Sequence, residues 1–123
     1  MASQWSAKLL KSLSNVQTIQ VAPNYADQNK FNPQTVWFVR VGNDLYVRAY
    51  RGTASRWYQA AVKRRTGKVY FNHQAYPAYF QPVDARSAVN KTVNQNYLAK
   101  YHGSSKLWMV ETALDSTLKI LKG

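Results

Sequence analysis

The sequence predicts a small α+β domain, a barrel or a sandwich, on three observations. Two β-branched and aromatic runs, Thr35 to Val41 and Asp44 to Tyr50, flank the two-residue connection Gly42–Asn43. Short amphipathic stretches stand between and outside further strand-like runs, giving six or seven strands and three helices. The 123 residues, 46% of them hydrophobic, fill one modest core and leave no material for a second domain.

In chain order, Ser3 can cap a first helix carrying Trp5, Leu9, Leu10 and Leu13 at helical spacing. Thr18 to Val21 alternates as a first strand, and the Pro-, Asn- and Asp-rich stretch from Ala22 to Pro33 reads as loop. The hairpin is the firmest element. Gly first in a two-residue loop suits a type II′ turn, which sets Val41 opposite Asp44 and fixes every pair outward from there. Val36, Phe38 and Arg40 then share a core face with Ala49, Val47 and Leu45, Arg40 reaching water near the turn. The other face carries Trp37, Val39, Val41, Tyr46, Arg48 and Tyr50, with Arg48 across from Trp37 and able to stack on it. Either a helix or second subunit covers this face, or it is a platform for a flat anionic ligand.

Arg56 to Arg65 reads as a short helix capped by Thr53 or Ser55, turning Trp57, Ala60, Ala61 and Val62 inward and stopped by Gly67. Arg51, Ser55, Arg56 and the first N–H groups of this helix form an anion-attracting corner or, more plainly, a cap flanked by surface Arg. Lys68 to Asn72 and Ala78 to Val83 are strand-like, joined by His73 to Pro77. Asp84 caps a helix running to about His102, with Gly103 as its stop. Lys106 to Val110 and Ser116 to Leu121 read as two closing strands.

Seventeen Lys and Arg against five Asp and Glu give a net charge of +12, although only 18% of residues are charged. The imbalance is a shortage of acids as much as a surplus of bases. Without Cys there is no disulfide, thiolate nucleophile or Cys-ligated metal. His73 and His102 are far apart in sequence and neither has an acid at ligand spacing, so no metal is expected. No Gly-x-Ser-x-Gly elbow, Walker loop or dinucleotide fingerprint occurs. Any redox or transfer chemistry would therefore fall to a bound cofactor. No run of about 18 apolar residues and no secretory signal is present, which leads to the expectation of a cytoplasmic protein without a membrane partner. Lys63, Arg64, Arg65 and Lys68 form a basic cluster that suits a nucleic-acid backbone, or simply a solvated helix end.

The blocks VWFVRVGNDLYVRAYRG, RWYQAA, GKV, NYLAKYHG and STLKIL, in that order between Val16 and Leu121, resemble the bacterial family known as domain of unknown function 2255. That family is in turn similar to the FMN-binding split barrels. The resemblance implies a mostly antiparallel, six-stranded split β-barrel with two or three flanking helices, often dimeric. It further implies FMN or a deazaflavin as cofactor and a reductase or oxidase activity. The flavin phosphate would be held by the stretch matching Arg51, Ser55 and Arg56, with Trp37, Arg48 and Tyr50 facing the ring. This chain departs from the family pattern in the amide-rich helix holding Asn90, Asn94, Gln95 and Asn96, and in its basic balance. The alternatives are a small basic nucleic-acid-binding module and a non-catalytic split-barrel relative.

Overall fold

In the computed structural model, residues 3–13, 16–24, 33–101, 103, 105–111 and 113–123 are described. Six strands close into one barrel: β1 (Thr18–Pro23), β2 (Gln34–Val41), β3 (Asp44–Val47), β4 (Thr66–Phe71), β5 (Gln74–Pro82) and β6 (Leu118–Lys122). Their order around the barrel is β1-β2-β3-β6-β5-β4, and every neighbouring pair is antiparallel. Closure leaves no continuous unpaired edge. Four α-helices accompany it among the described residues: α1 (Ala7–Ser12), α2 (Arg56–Arg64), α3 (Val89–Lys100) and α4 (Ser105–Glu111).

The β2–β3 hairpin has the register that its turn dictates. Val41 faces Asp44 and Phe38 faces Val47, and of the two turn residues only Gly42 has positive φ, 61°. Val36, Phe38, Leu45, Val47 and Ala49 point into the barrel with Ile19, Val21, Val69, Phe71, Phe80, Leu118 and Ile120. Trp5, Leu10 and Leu13 of the N-terminal segment and Trp57 and Ala61 of α2 join this core. Outside the barrel, Val39 and Tyr46 pack with Val93, Tyr97, Tyr101, Met109 and Ala113 in a second cluster. The outer hairpin face is therefore covered by α3 and α4 of the same chain.

Several local readings are corrected. Ser6, not Ser3, caps α1, its Oγ accepting from the Leu9 N–H at 3.2 Å, while Ser3 pairs with Lys122. The turn between β4 and β5 is Asn72–His73, both at positive φ as a type I′ turn requires, so most of the expected His73–Pro77 loop is strand. Helix α2 stops at Arg65, which takes the left-handed conformation (φ 66°). Gly67 has another task, since a Cβ there would lie 2.5 Å from the Ala22 carbonyl oxygen of β1. Asp84 forms a turn rather than a helix cap, its Oδ1 accepting from the Arg86 N–H at 2.8 Å, and α3 starts five residues later. Lys106 to Val110 is helix, not strand: Leu107 and Trp108 are both exposed before buried Met109, a pattern that alternation across a sheet does not give. The expected loop between β1 and β2 falls largely on residues 25–32, and His102 likewise lies outside the described residues.

Candidate functional site

Arg48 follows β3 and turns outward from the barrel into the space beneath α3 and α4, where it is fully buried. Its Nε donates to Thr117 Oγ1 (2.8 Å), Nη1 to Asn94 Oδ1 (2.5 Å) and the Met109 carbonyl (3.1 Å), and Nη2 to Asn90 Oδ1 (3.2 Å). Three of the four acceptors have other partners or a place that orients them. Asn90 spends its amide N–H groups on the Asp84 and Ala85 carbonyls, Thr117 donates its hydroxyl to the Leu114 carbonyl, and Met109 lies in the last turn of α4, whose carbonyls lack helical partners. The guanidinium also lies 5.4 Å from the Tyr97 ring centre. Burial lowers its pKa, with Tyr97 acting in the opposite direction, and raises that of Tyr97.

Trp37 is half-buried and stacked on Tyr101 rather than on Arg48, with ring centres 4.0 Å apart and planes 3° from parallel. Thus two of the six residues expected around a ligand, Trp37 and Arg48, sit beneath or against the helices. The other four, Tyr50, Arg51, Ser55 and Arg56, share one corner. Tyr50 is 56% exposed and stacks against Trp108, itself 43% exposed, with ring centres 5.5 Å apart; the Trp108 indole N–H donates to the Tyr50 carbonyl. Arg51 and Arg56 are exposed. Between them a 3-10 turn, Gly52–Ala54, brings the chain to α2, with Gly52 at φ 69° and open space where a Cβ would stand. Ser55 occupies the N-cap position, yet its hydroxyl makes no capping hydrogen bond, and the first turn of α2 holds no acid. One carboxylate is nearby: Tyr58 Oη donates to the Asp115 carbonyl at 3.4 Å, and burial with the Asp115 charge raises the Tyr58 pKa.

The basic cluster is divided. Lys63 and Arg64 are exposed in the last turn of α2, where they complement the helix dipole. Arg65 is half-buried with Nε bonded to the Val62 carbonyl, and Lys68 lies half-buried in β4. No three His, Asp or Glu among the described residues gather as a metal site, and no described helix is long and apolar enough to cross a membrane.

A second concavity brings together residues that the sequence did not mark as a site, Lys100 among them. Strand β1 starts only at Thr18, opposite Trp37, so the β1-facing backbone of Phe38 and Arg40 has no strand beside it. Side chains from the end of α3 take over. The Tyr101 hydroxyl accepts from Phe38 N–H (3.0 Å), Lys100 Nζ donates to the Phe38 carbonyl (2.9 Å) and Asn96 Nδ2 to the Arg40 carbonyl (3.0 Å). They satisfy the edge without filling it. A cavity of about 280 Å³ remains, lined by Leu10 of α1 and Leu13 at its C-cap, Phe38, Val39 and Arg40 of β2, and Asn96, Ala99 and Lys100 of α3.

A family model described as an uncharacterized protein conserved in bacteria, DUF2255, matches residues 9–120. Among solved structures, the crystal structure of the conserved hypothetical protein Rv2991 from Mycobacterium tuberculosis resembles this chain with a TM-score of 0.67 at 8% identity, covering 99% of this chain and 81% of that one. At that identity the likeness is one of fold. None of the curated proteins matches.

Proposed function

We propose a phosphorylated flavin-type ligand, FMN or a deazaflavin, for this chain, which belongs to the bacterial DUF2255 family. The observation that carries the reading is the exposed Tyr50–Trp108 stack next in sequence to a corner rich in anion donors. A flat ring system would lie against the aromatic pair. Its phosphate would meet Arg51, Arg56 and the first N–H groups of α2, with Ser55, buried at the N-cap and making no capping bond, at the back of the corner. Gly52 lets the ligand approach the backbone closely. Such a cofactor would supply hydride or electron transfer in a reductase or oxidase, while the protein binds and orients it. Trp37 and Arg48 have no part in this arrangement.

A charge-assisted hydrogen bond contributes roughly 1.5–3 kcal/mol, so Arg56→Ala should weaken FMN binding by about ten- to a hundred-fold. Riboflavin, which has the ring without the phosphate, should bind the parent poorly and be indifferent to the change. Fluorescence titration of both flavins against both proteins reads this directly. Equal affinity for the two flavins, or none for either, would return Arg51, Ser55 and Arg56 to an ordinary helix cap. The net charge of +12 favours a second reading, in which the same shelf stacks the bases of a single strand while exposed Lys63 and Arg64 meet its backbone. Oligonucleotide binding that falls steeply with salt would support it.

A further inference from the structure

We propose that the cavity at the free edge of β2 binds a small organic monocarboxylate with an apolar body, its carboxylate between Lys100 and Arg40 and its body against Leu10, Leu13 and Phe38. This site is separate from the Tyr50–Arg56 corner and does not depend on it. The lining divides by chemistry. Leu10 of α1 and Leu13 at its C-cap, with the Phe38 and Val39 stretch of β2, give apolar walls; Arg40, Asn96 and Lys100 are the polar members, and none of the lining residues is an acid. The ion pair among the described residues is Lys119–Asp44, which engages neither cation.

Both cations have donors left. An ammonium carries three N–H groups, of which the Phe38 carbonyl takes one; a guanidinium carries five, and the Gly42 carbonyl receives the Nε–H of Arg40 at 2.6 Å. Capping a strand carbonyl does not require a charge. The Asn96 amide performs the same service for the Arg40 carbonyl on the next turn of α3. A neutral side chain at position 100 would avoid the desolvation that a half-buried ammonium incurs, a cost visible in a pKa lowered by burial to about 8. The Phe38 ring, whose centre is 3.4 Å from Nζ, offsets part of that cost; a bound carboxylate would offset more. The volume of about 280 Å³ lies just under the usual range of roughly 300–1,000 Å³ for ligand pockets, which points to a small occupant. Apolar walls behind two cations favour a carboxylate with a hydrocarbon body over a bare inorganic anion.

Octanoate below its micellar range is a suitable probe, with acetate supplying the charge without the body and octan-1-ol the body without the charge. Calorimetric titration should show octanoate binding the full chain at least about ten-fold more tightly than either control, and Lys100→Gln or Arg40→Gln should weaken it by about ten- to a hundred-fold. Arg40 is exposed, so its variant keeps the test valid should Lys100→Gln unfold. Amide shift changes on octanoate addition should centre on Phe38, Asn96 and Lys100. The proposal is overturned if octanoate binds no better than octan-1-ol, if folded Arg40→Gln and Lys100→Gln retain parental affinity, or if the shifts map elsewhere. Phosphate competing as well as octanoate would also overturn it, in favour of a general anion site.

Discussion

Arg48 and Lys100 are both cations drawn against an aromatic ring beside the same hairpin, yet one is sealed and the other borders a cavity. Arg48 makes four hydrogen bonds to neutral oxygens and has no exposed surface; Lys100 has one described acceptor and remains partly open. In a chain with few acids, neutral amide, hydroxyl and carbonyl oxygens replace the carboxylate that usually accompanies a buried cation. What separates the two is how far their donors are used: four of the five guanidinium N–H groups of Arg48 are engaged, against one of the three on the Lys100 ammonium. The guanidinium binds β3 to α3, α4 and the segment before β6, so it belongs to the architecture, whereas the ammonium keeps donors that a ligand could use.

The sharpest way to break this contrast is Arg48→Leu. The change would strand buried acceptors on Asn90, Asn94, Thr117 and Met109, and since an unpaired buried polar group costs about 1–3 kcal/mol, a total loss of about 3–5 kcal/mol is expected. For a domain of this size that corresponds to a fall of about 10–20 °C in the unfolding midpoint. A shift of only about 2 °C in thermal unfolding would show that Arg48 is not the fastening described here. Because Arg48 lies inside, any FMN affinity measured for the parent should be unchanged in the surviving folded fraction.

Tyr101→Phe probes the boundary between the two sites with a smaller effect. Its hydroxyl accepts from Phe38 N–H, lies 2.6 Å from the Gln17 carbonyl and 2.9 Å from that of Phe38, and its ring stacks on Trp37. Removing the oxygen leaves a buried N–H unpaired while the stack survives, which should cost about 1–3 kcal/mol in denaturant unfolding. No loss would mean that water reaches the β2 edge from the cavity.

How much of this was legible in the sequence differs between the two regions for a physical reason. Gly42–Asn43 fixed the hairpin register, and alternation then separated Phe38 from Trp37 correctly, because side-chain period is a local property. What covers a face is not local. The aromatic wall was readable, but its cover depended on α4, whose short apolar run is ambiguous between strand and helix until Met109 is seen facing inward. The amide-rich stretch was noticed; its meaning, neutral acceptors for Arg48, required Arg48 to be inside. The Lys100 cavity exists because β2 runs on past the first residue of β1, and strand ends are set by pairing rather than by composition. Arg51, Ser55 and Arg56 were legible together because they are neighbours in the chain. Trp108, their aromatic partner's stacking mate, was not.

The smallest expected effect concerns the proton on Lys100. Burial lowers its pKa from the ordinary 10.5 to about 8, while the unfolded chain keeps the ordinary value. Between these pH values the unfolded state binds more protons, so this group contributes stability that is least below pH 8 and grows as the pH rises toward 10.5. Screening through its exposed half keeps the gain to about 1 kcal/mol or less. Tyr46, Tyr58, Tyr97 and Tyr101 all have raised pKa values, mainly through burial, so above pH 10 the unfolded state ionises first at these groups and stability falls. Those contributions are common to the parent and to Lys100→Met and largely cancel in their difference. The groups facing Lys100 are the Arg40 side chain and the Tyr101 ring 5.2 Å away. Unfolding midpoints of parent and Lys100→Met should therefore separate in the parent's favour as the pH rises from 8 to 10. A saturating carboxylate should flatten that trend, since it holds the ammonium in its charged form. A parent that instead loses ground to Lys100→Met over this range would show that the folded protein stabilises the charge at Lys100, and the contrast with Arg48 would then disappear.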